Sequence, residues 1–318
     1  INRAEARRAE LMLYWLPVVL KAPLAFLLFS CNLALWGTIV TLIGIAKLLS
    51  PNAAARTFWS RPAHWAYRGW SRYNKVLMEL FNKVEWQVSG VAELKKDSWY
   101  LLISNHKSWL DIPVLSQFAL NRIPEPKFFL KEQLKWVPFI GSGSWALDMP
   151  FMKRYSQAQI AKKPALKGKD IETTRESCEK FKNTPTTIIN FVEGSRFTTE
   201  KHKQKRSPFR HLLPPKAGGI AFTLASMGPQ FHSVLDVTIL YPDNPGHVAL
   251  DMLCGRLKRV VVLVEILQVD HQIIGDYFND ETFRVSFQNW LNQRWLKKDQ
   301  TIAAYHDPET SASENALC

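Results

Sequence analysis

Residues 11–49, LMLYWLPVVLKAPLAFLLFSCNLALWGTIVTLIGIAKLL, carry only two charges, Lys21 and Lys47. No other stretch restricts the fold as strongly. Residues 24–46 alone match the roughly 20 apolar residues that cross a bilayer core as a helix. The run is too long for the apolar core of a signal peptide, although NAAAR at 52–56 offers small residues of the cleavage-site kind. Two geometries are open: one spanning helix, or two shorter helices that turn near Asn32 and return to the same leaflet. Arg3, Arg7 and Arg8 flank one side, and the larger set Arg56, Arg61, Arg68, Arg72 and Lys75 flanks the other. The larger basic set places the remainder of the chain on the cytoplasmic side.

Residues 51–82 follow with Trp59, Trp65, Trp70 and Tyr73 set among arginines. Such a mixture suits either the headgroup layer or an amphipathic helix packed on a domain. The formal net charge of +13 over 318 residues calls for an anionic partner, such as a membrane surface, an acidic protein or nucleic acid. The four cysteines, Cys31, Cys178, Cys254 and Cys318, have neither metal nor disulfide spacing, as in a reducing compartment.

From residue 83 to about 300 the pattern becomes α/β. The runs VEWQV, WYLLIS, KFFL, TTIINFV, VLDVTIL, VALDML and VVVLVEI read as strands, with helices expected over 114–120, 170–183, 218–226 and 282–296. This alternation predicts a mixed, largely parallel sheet flanked by helices and preceded by an N-terminal helical membrane anchor over residues 1–50. Residues 301–318 read as a polar tail. In sheets of this kind, sites gather at the carboxyl ends of strands.

Two polar motifs stand at such ends. LLIS runs into NHKSWLD, supplying His106 and Asp111, and TTIINF runs into VEGSR, supplying Glu193 and Arg196. A neutral histidine, a carboxylate that orients it and an arginine suit deprotonation of an alcohol on a phosphate-bearing substrate. Blander readings exist for each. Asp111 lies three residues after Ser108, the spacing of a capping box, with Pro113 in the first helical turn. Arg196 could instead pair with Glu193. Ser108 beside a histidine and an aspartate raises a covalent hydrolase, but there is no G-x-S-x-G elbow.

The pattern N-H-x4-D followed by F-x-E-G-S-R resembles the glycerolipid acyltransferases of the 1-acylglycerol-3-phosphate O-acyltransferase type. FFLKEQLKWVPFIG with ALDMPFMKR, and LLPPKAGGIAFTL, resemble two further blocks of that family, so the likeness spans about residues 84–240. The resemblance implies that His106 deprotonates the free hydroxyl of a lysophospholipid and that Asp111 orients the imidazole. The oxygen then attacks an acyl thioester directly. It assigns Glu193, Gly194, Ser195 and Arg196 to acceptor binding, with Arg196 and Lys131 gripping phosphate, and sets Pro214 and Pro215 on the acyl-donor side. Ser195 stands where threonine is commoner, and PFMKR departs from the usual acid–arginine ending, which weakens a role for Arg154.

The expectation is therefore a membrane-bound acyltransferase on the cytoplasmic membrane of a bacterium. Its donor would be acyl-coenzyme A or acyl-carrier protein, its acceptor lysophosphatidic acid or a related lysophospholipid, with no cofactor and no metal. A remodelling enzyme for a larger headgroup such as lysophosphatidylglycerol, or an inactive lipid-binding protein, is the alternative. Nucleic acid is not an expected partner: the basic runs at 161–169 and 201–206 sit in no recognisable reading module.

Overall fold

In the computed structural model, which describes residues 12–152, 179, 181 and 184–306, the apolar run forms one uninterrupted helix, α1 (Val18–Leu49). It passes straight through Asn32, so of the two geometries left open the turn near Asn32 does not occur. The chain reverses at residues 50–52 instead, where the Asn52 side chain accepts the Ala55 N–H and caps α2 (Ala53–Phe81). The two helices pack as a hairpin, and Asn32 meets Asn74 across the interface at 3.1 Å. Both lysines of the apolar run are partnered: Lys21 donates to the Tyr14 carbonyl at 3.0 Å, and Lys47 pairs with Asp148.

A six-stranded sheet follows, in the order β1-β8-β7-β2-β6-β3. Its strands are β1 (Glu85–Ser89), β2 (Tyr100–Ser104), β3 (Pro126–Phe128), β6 (Thr187–Phe191), β7 (Ser233–Leu240) and β8 (Arg259–Leu267). Pairing is parallel except between β7 and β8. The small strands β4 (Leu130–Lys131) and β5 (Phe151–Met152) form a separate pair, so the KFFL run divides between two sheets. Every residue of β2 and β7 is buried, as expected of strands covered on both faces.

One face carries α6 (Ala217–Met227) and α8 (Glu281–His306); the other carries α2, α3 (Asp111–Ala119) and α7 (Val248–Leu253). Between α3 and α6 in the chain lie α4 (Ile140–Ala146) and α5 (Thr199–Gln204). Gly37 lets α1 press against the start of α4: a Cβ there would fall 2.7 Å from that of Phe139.

Two expectations are corrected. VALDML is helix α7, not a strand. Of its residues only Val248 is β-branched, and the buried positions Val248 and Met252 are four apart, the helical spacing. The last helix continues to His306, so no polar tail begins at 301; Trp295, Lys298 and Ile302 are buried along its length. The helix expected over 170–183 falls outside the described residues apart from Glu179 and Phe181, and Arg154 and the 161–169 run lie outside them entirely.

Candidate active site

The loop after β2 is held on three sides. Asn105 turns its amide to β7, accepting the Ile239 N–H and donating to the Ile239 carbonyl, both at 2.9 Å. The side chain thereby continues the strand ladder after the backbone has left it. His106 comes next, and its Nδ1 lies 2.7 Å from Asp111 Oδ2. A carboxylate only accepts, so Nδ1 carries the proton and Nε2 is left with a free lone pair. Phe191 stacks on the imidazole, with ring centroids 4.0 Å apart, and fixes its plane.

Asp111 is fully buried at the start of α3. The same Oδ2 also receives the N–H groups of Lys107 at 2.7 Å and Ser108 at 2.9 Å, while Oδ1 receives the Tyr241 hydroxyl at 2.7 Å. One carboxylate thus both holds the backbone of the loop before α3 and meets the imidazole. Ser108 is buried, and its Oγ accepts the Leu110 N–H at 3.2 Å. It makes no hydrogen bond to the His106 ring among the described residues, which removes the geometry of a serine nucleophile.

The second motif braces the first. Gly194 adopts φ +68°, a region that suits glycine, and the turn returns the chain so that the Phe197 N–H reaches the His106 carbonyl at 2.7 Å. Glu193 is fully buried; its Oε1 accepts the His106 N–H at 3.0 Å and its Oε2 the Leu213 N–H at 2.9 Å. Burial pushes its carboxyl up to about 8, although both N–H donors pull the other way. Its oxygens are spent on backbone, so its place is between loops and not on an acceptor. Arg196 forms no ion pair with Glu193 among the described residues; its guanidinium lies 4.3 Å from the centroid of the Trp109 ring. Ser195 is half-buried on the same turn. Lys107 sits with its ammonium 4.7 Å from the Phe197 ring centroid, its pKa lowered by burial.

Trp109, Ile112 and Pro113 from the first loop also line an apolar cavity of about 280 Å³. Its other walls come from α1 (Phe29, Leu33, Val40), α2 (Tyr67, Trp70) and the segment around α4 (Phe139, Leu147). Phe128, another lining residue, stacks on Phe191 with centroids 6.2 Å apart, so a column of rings joins the cavity wall to the imidazole.

Not every expected residue joins this site. Lys131 is exposed on β4 and makes no side-chain bond to His106, Asp111 or Glu193 among the described residues. Pro214 and Pro215 line a different cleft, against Gln288 and Asn292 of α8, and not the apolar cavity. Conversely, Tyr241 escapes sequence reasoning, and Phe191, the first residue of F-x-E-G-S-R, is given no role there. Tyr241 lies 130 positions from Asp111, and the only available signal is a phenol directly after a buried strand.

Residues 85–241 match the Acyltransferase family. The chain is 24% identical over 270 residues to a 2-acyl-1-lysophosphatidylinositol acyltransferase of Saccharomyces cerevisiae, covering 70% of this chain and 66% of that one. It is 25% identical over 220 residues to a human 1-acyl-sn-glycerol-3-phosphate acyltransferase delta, covering 65% of this chain and 53% of that one. The chain thus spans between about half and two thirds of the length of these curated relatives. Its fold is similar to the crystal structure of the 1-acyl-sn-glycerophosphate acyltransferase PlsC from Thermotoga maritima, with a TM-score of 0.54 and 17% identity over 90% of this chain and 96% of that one. The chain belongs to the glycerolipid acyltransferase family.

Proposed function

We propose that the chain transfers a fatty acyl group from an acyl thioester to the free hydroxyl of lysophosphatidic acid or a related lysophospholipid at a membrane surface. One observation carries this reading. Trp109, Ile112 and Pro113, from the segment that carries the His106–Asp111 pair, wall an apolar cavity, and Trp109 also meets Arg196. An amphiphile with an anionic head and an apolar tail has a surface for each end. The apolar cavity takes an acyl chain, and Arg196 and Lys107 face the acceptor phosphate.

His106 Nε2 removes the hydroxyl proton as the acceptor oxygen attacks the thioester carbonyl. The carbon–sulfur bond of the tetrahedral adduct then breaks, and the imidazolium returns the proton to the leaving thiol. Asp111 holds the ring orientation and stabilises its charge. Glu193 fixes the loop that carries His106. The donor is coenzyme A or acyl-carrier protein, both of which present the same thioester.

Membrane placement rests on exposure. Only 22% of the most apolar stretch of α1 is buried, and Val19, Phe26, Leu35, Leu42 and Leu49 all face outward. A helix of 32 residues is about 48 Å long, more than a hydrocarbon core requires. The larger basic set, on α2, supports a catalytic domain on the cytoplasmic side of its membrane. A site held there meets lipid acceptors without extracting them into water.

The test is acyl transfer to a panel of lysophospholipids in detergent, with acyl-coenzyme A and acyl-carrier-protein donors. Wild-type transfer should fall on the order of 10⁴-fold in His106→Ala. Transfer confined to a larger-headgroup acceptor would make the enzyme a remodelling one, and no transfer from any donor would leave a lipid-binding protein.

A further inference from the structure

Three neighbouring strands end at the site, and each contributes one fixing contact. The central strand β2 leads into the loop with His106; β6 and β7 flank it. From the β6 side, Glu193 holds the His106 backbone N–H. From the β7 side, Tyr241 follows Leu240 directly and holds Asp111 Oδ1 at 2.7 Å. The two oxygens of Asp111 are not equivalent. Oδ2 has three donors, whereas the Tyr241 hydroxyl is the one donor to Oδ1 among the described residues. Tyr241 is itself 4% exposed, so neither group is in reach of water that could substitute.

We propose that Tyr241 is a positioning residue for the acyl transfer, locking the rotation of the Asp111 carboxylate and drawing off part of its charge, so that it sets both the orientation and the basicity of His106. The proposal rests on His106 being the general base. A buried carboxylate oxygen with no donor is costly, and a rotated carboxylate would present the wrong oxygen to Nδ1. A phenol suits this position for two reasons. It is a strong donor, and burial beside the Asp111 charge pushes its own pKa well above the ordinary value, so the proton stays on the phenol. The other charged groups near the pair are Lys107 and Glu193, which both interact with Asp111 across the loop, and Arg196, which is turned onto Trp109. None of them donates to Oδ1.

The sign follows from charge. Without the hydroxyl, more negative charge on Asp111 bears on the imidazolium, so the pKa of His106 rises. The full-length protein in detergent, labelled at histidine and assigned with His106→Gln, is titrated by NMR alongside Tyr241→Phe. A rise of about half a unit or more in Tyr241→Phe is expected. The acidic limb of kcat against pH should move up by the same amount, with kcat falling roughly ten- to hundredfold and KM nearly unchanged. Site-specific 3-fluorotyrosine, a more acidic phenol, should shift the His106 pKa down, and this keeps the test decisive if Tyr241→Phe does not fold. Unmoved His106 titration in both proteins overturns the proposal, even if kcat drops, since loss of packing alone would do that. The titration needs no turnover, so a failure of the acyltransferase reading would show separately, as an inactive wild type.

Discussion

The two faces of the sheet are finished differently. On the α6–α8 face the chain closes its own core: Phe287, Leu291 and Trp295 are fully buried, and the charges between α8 and the sheet are paired. Arg294 bonds Asp236 at 2.9 Å and Glu265 at 2.9 Å, while the buried Lys298 meets Asp236 at 2.6 Å and Thr238 at 3.0 Å. On the other face, α1, α2 and α4 enclose a cavity of about 280 Å³ with apolar walls, which Trp109 and Ile112 also line, and the outward side of α1 exposes leucines, valines and Phe26. The first face is closed over its core, with the cleft at Pro214 and Pro215 on its outer side. The other presents more apolar surface than a protein in water keeps uncovered, which is the condition expected of a face that lipid completes.

The largest effect should therefore separate stability from chemistry. Asp236→Ala leaves the buried Lys298 without its carboxylate on the closed face, while Arg294 keeps Glu265, and stranding a buried charge costs about 3–5 kcal/mol. Denaturant titration in detergent should show that loss, while kcat of the fraction still folded stays near wild type. A large fall in kcat in folded Asp236→Ala would mean that the closed face also shapes the site, and the contrast between the faces would be lost.

This division was only partly legible in the sequence. The buried strands announce themselves because β2, β6, β7 and β8 are continuous runs of β-branched and apolar residues, and their ends carry the two polar motifs. VALDML was misread because a short apolar run has no length over which strand and helix periods diverge. The sequence leaves open a turn near Asn32, where a polar residue interrupts the apolar run. That amide is instead spent on Asn74 of the facing helix, a contact that composition does not reveal. The His106–Asp111 pair was legible because both residues lie on one short loop. Tyr241 was not, because its contact exists only once β7 is set beside β2. The resemblance assigns Glu193 to acceptor binding, whereas its two bonds to backbone N–H groups come from register, not spacing.

Glu193 also joins two loops, since it holds the His106 N–H and the N–H of Leu213, which directly follows Leu212 of the closed core. Its carboxyl rises from 4.5 to about 8 on folding, so it binds protons more tightly in the folded protein. The stability it contributes is fully present below about pH 4.5 and is lost as pH rises through about 8. Wild type should lose on the order of a few kcal/mol between pH 5 and pH 8.5 relative to Glu193→Gln, whose side chain does not titrate. Glu193→Gln will be less stable at every pH, because its amide NH₂ must oppose one of the two N–H donors. The informative quantity is the difference in slope, read from denaturation at several pH values. Parallel slopes would mean that the two N–H donors outweigh burial and keep the carboxylate ionised.

The smallest effect probes the open face itself. Leu33 lines the cavity from α1, well removed in sequence from the dyad, so a larger side chain there reduces space without touching His106 or Asp111. In Leu33→Trp, the ring occupies room that a long acyl chain would use. Excluding two methylenes of a chain from an apolar site costs about 1.6 kcal/mol at 0.8 per methylene, roughly tenfold in relative kcat/KM. Transfer from long-chain donors should fall by about that factor against a donor several carbons shorter, with the short donor nearly unaffected. Equal losses for all chain lengths would point to a distorted hairpin, and unchanged selectivity would mean that the acyl chain lies elsewhere. In that case the open face would serve only to seat the protein in lipid, and the contrast between the two faces would concern the membrane alone and not the substrate.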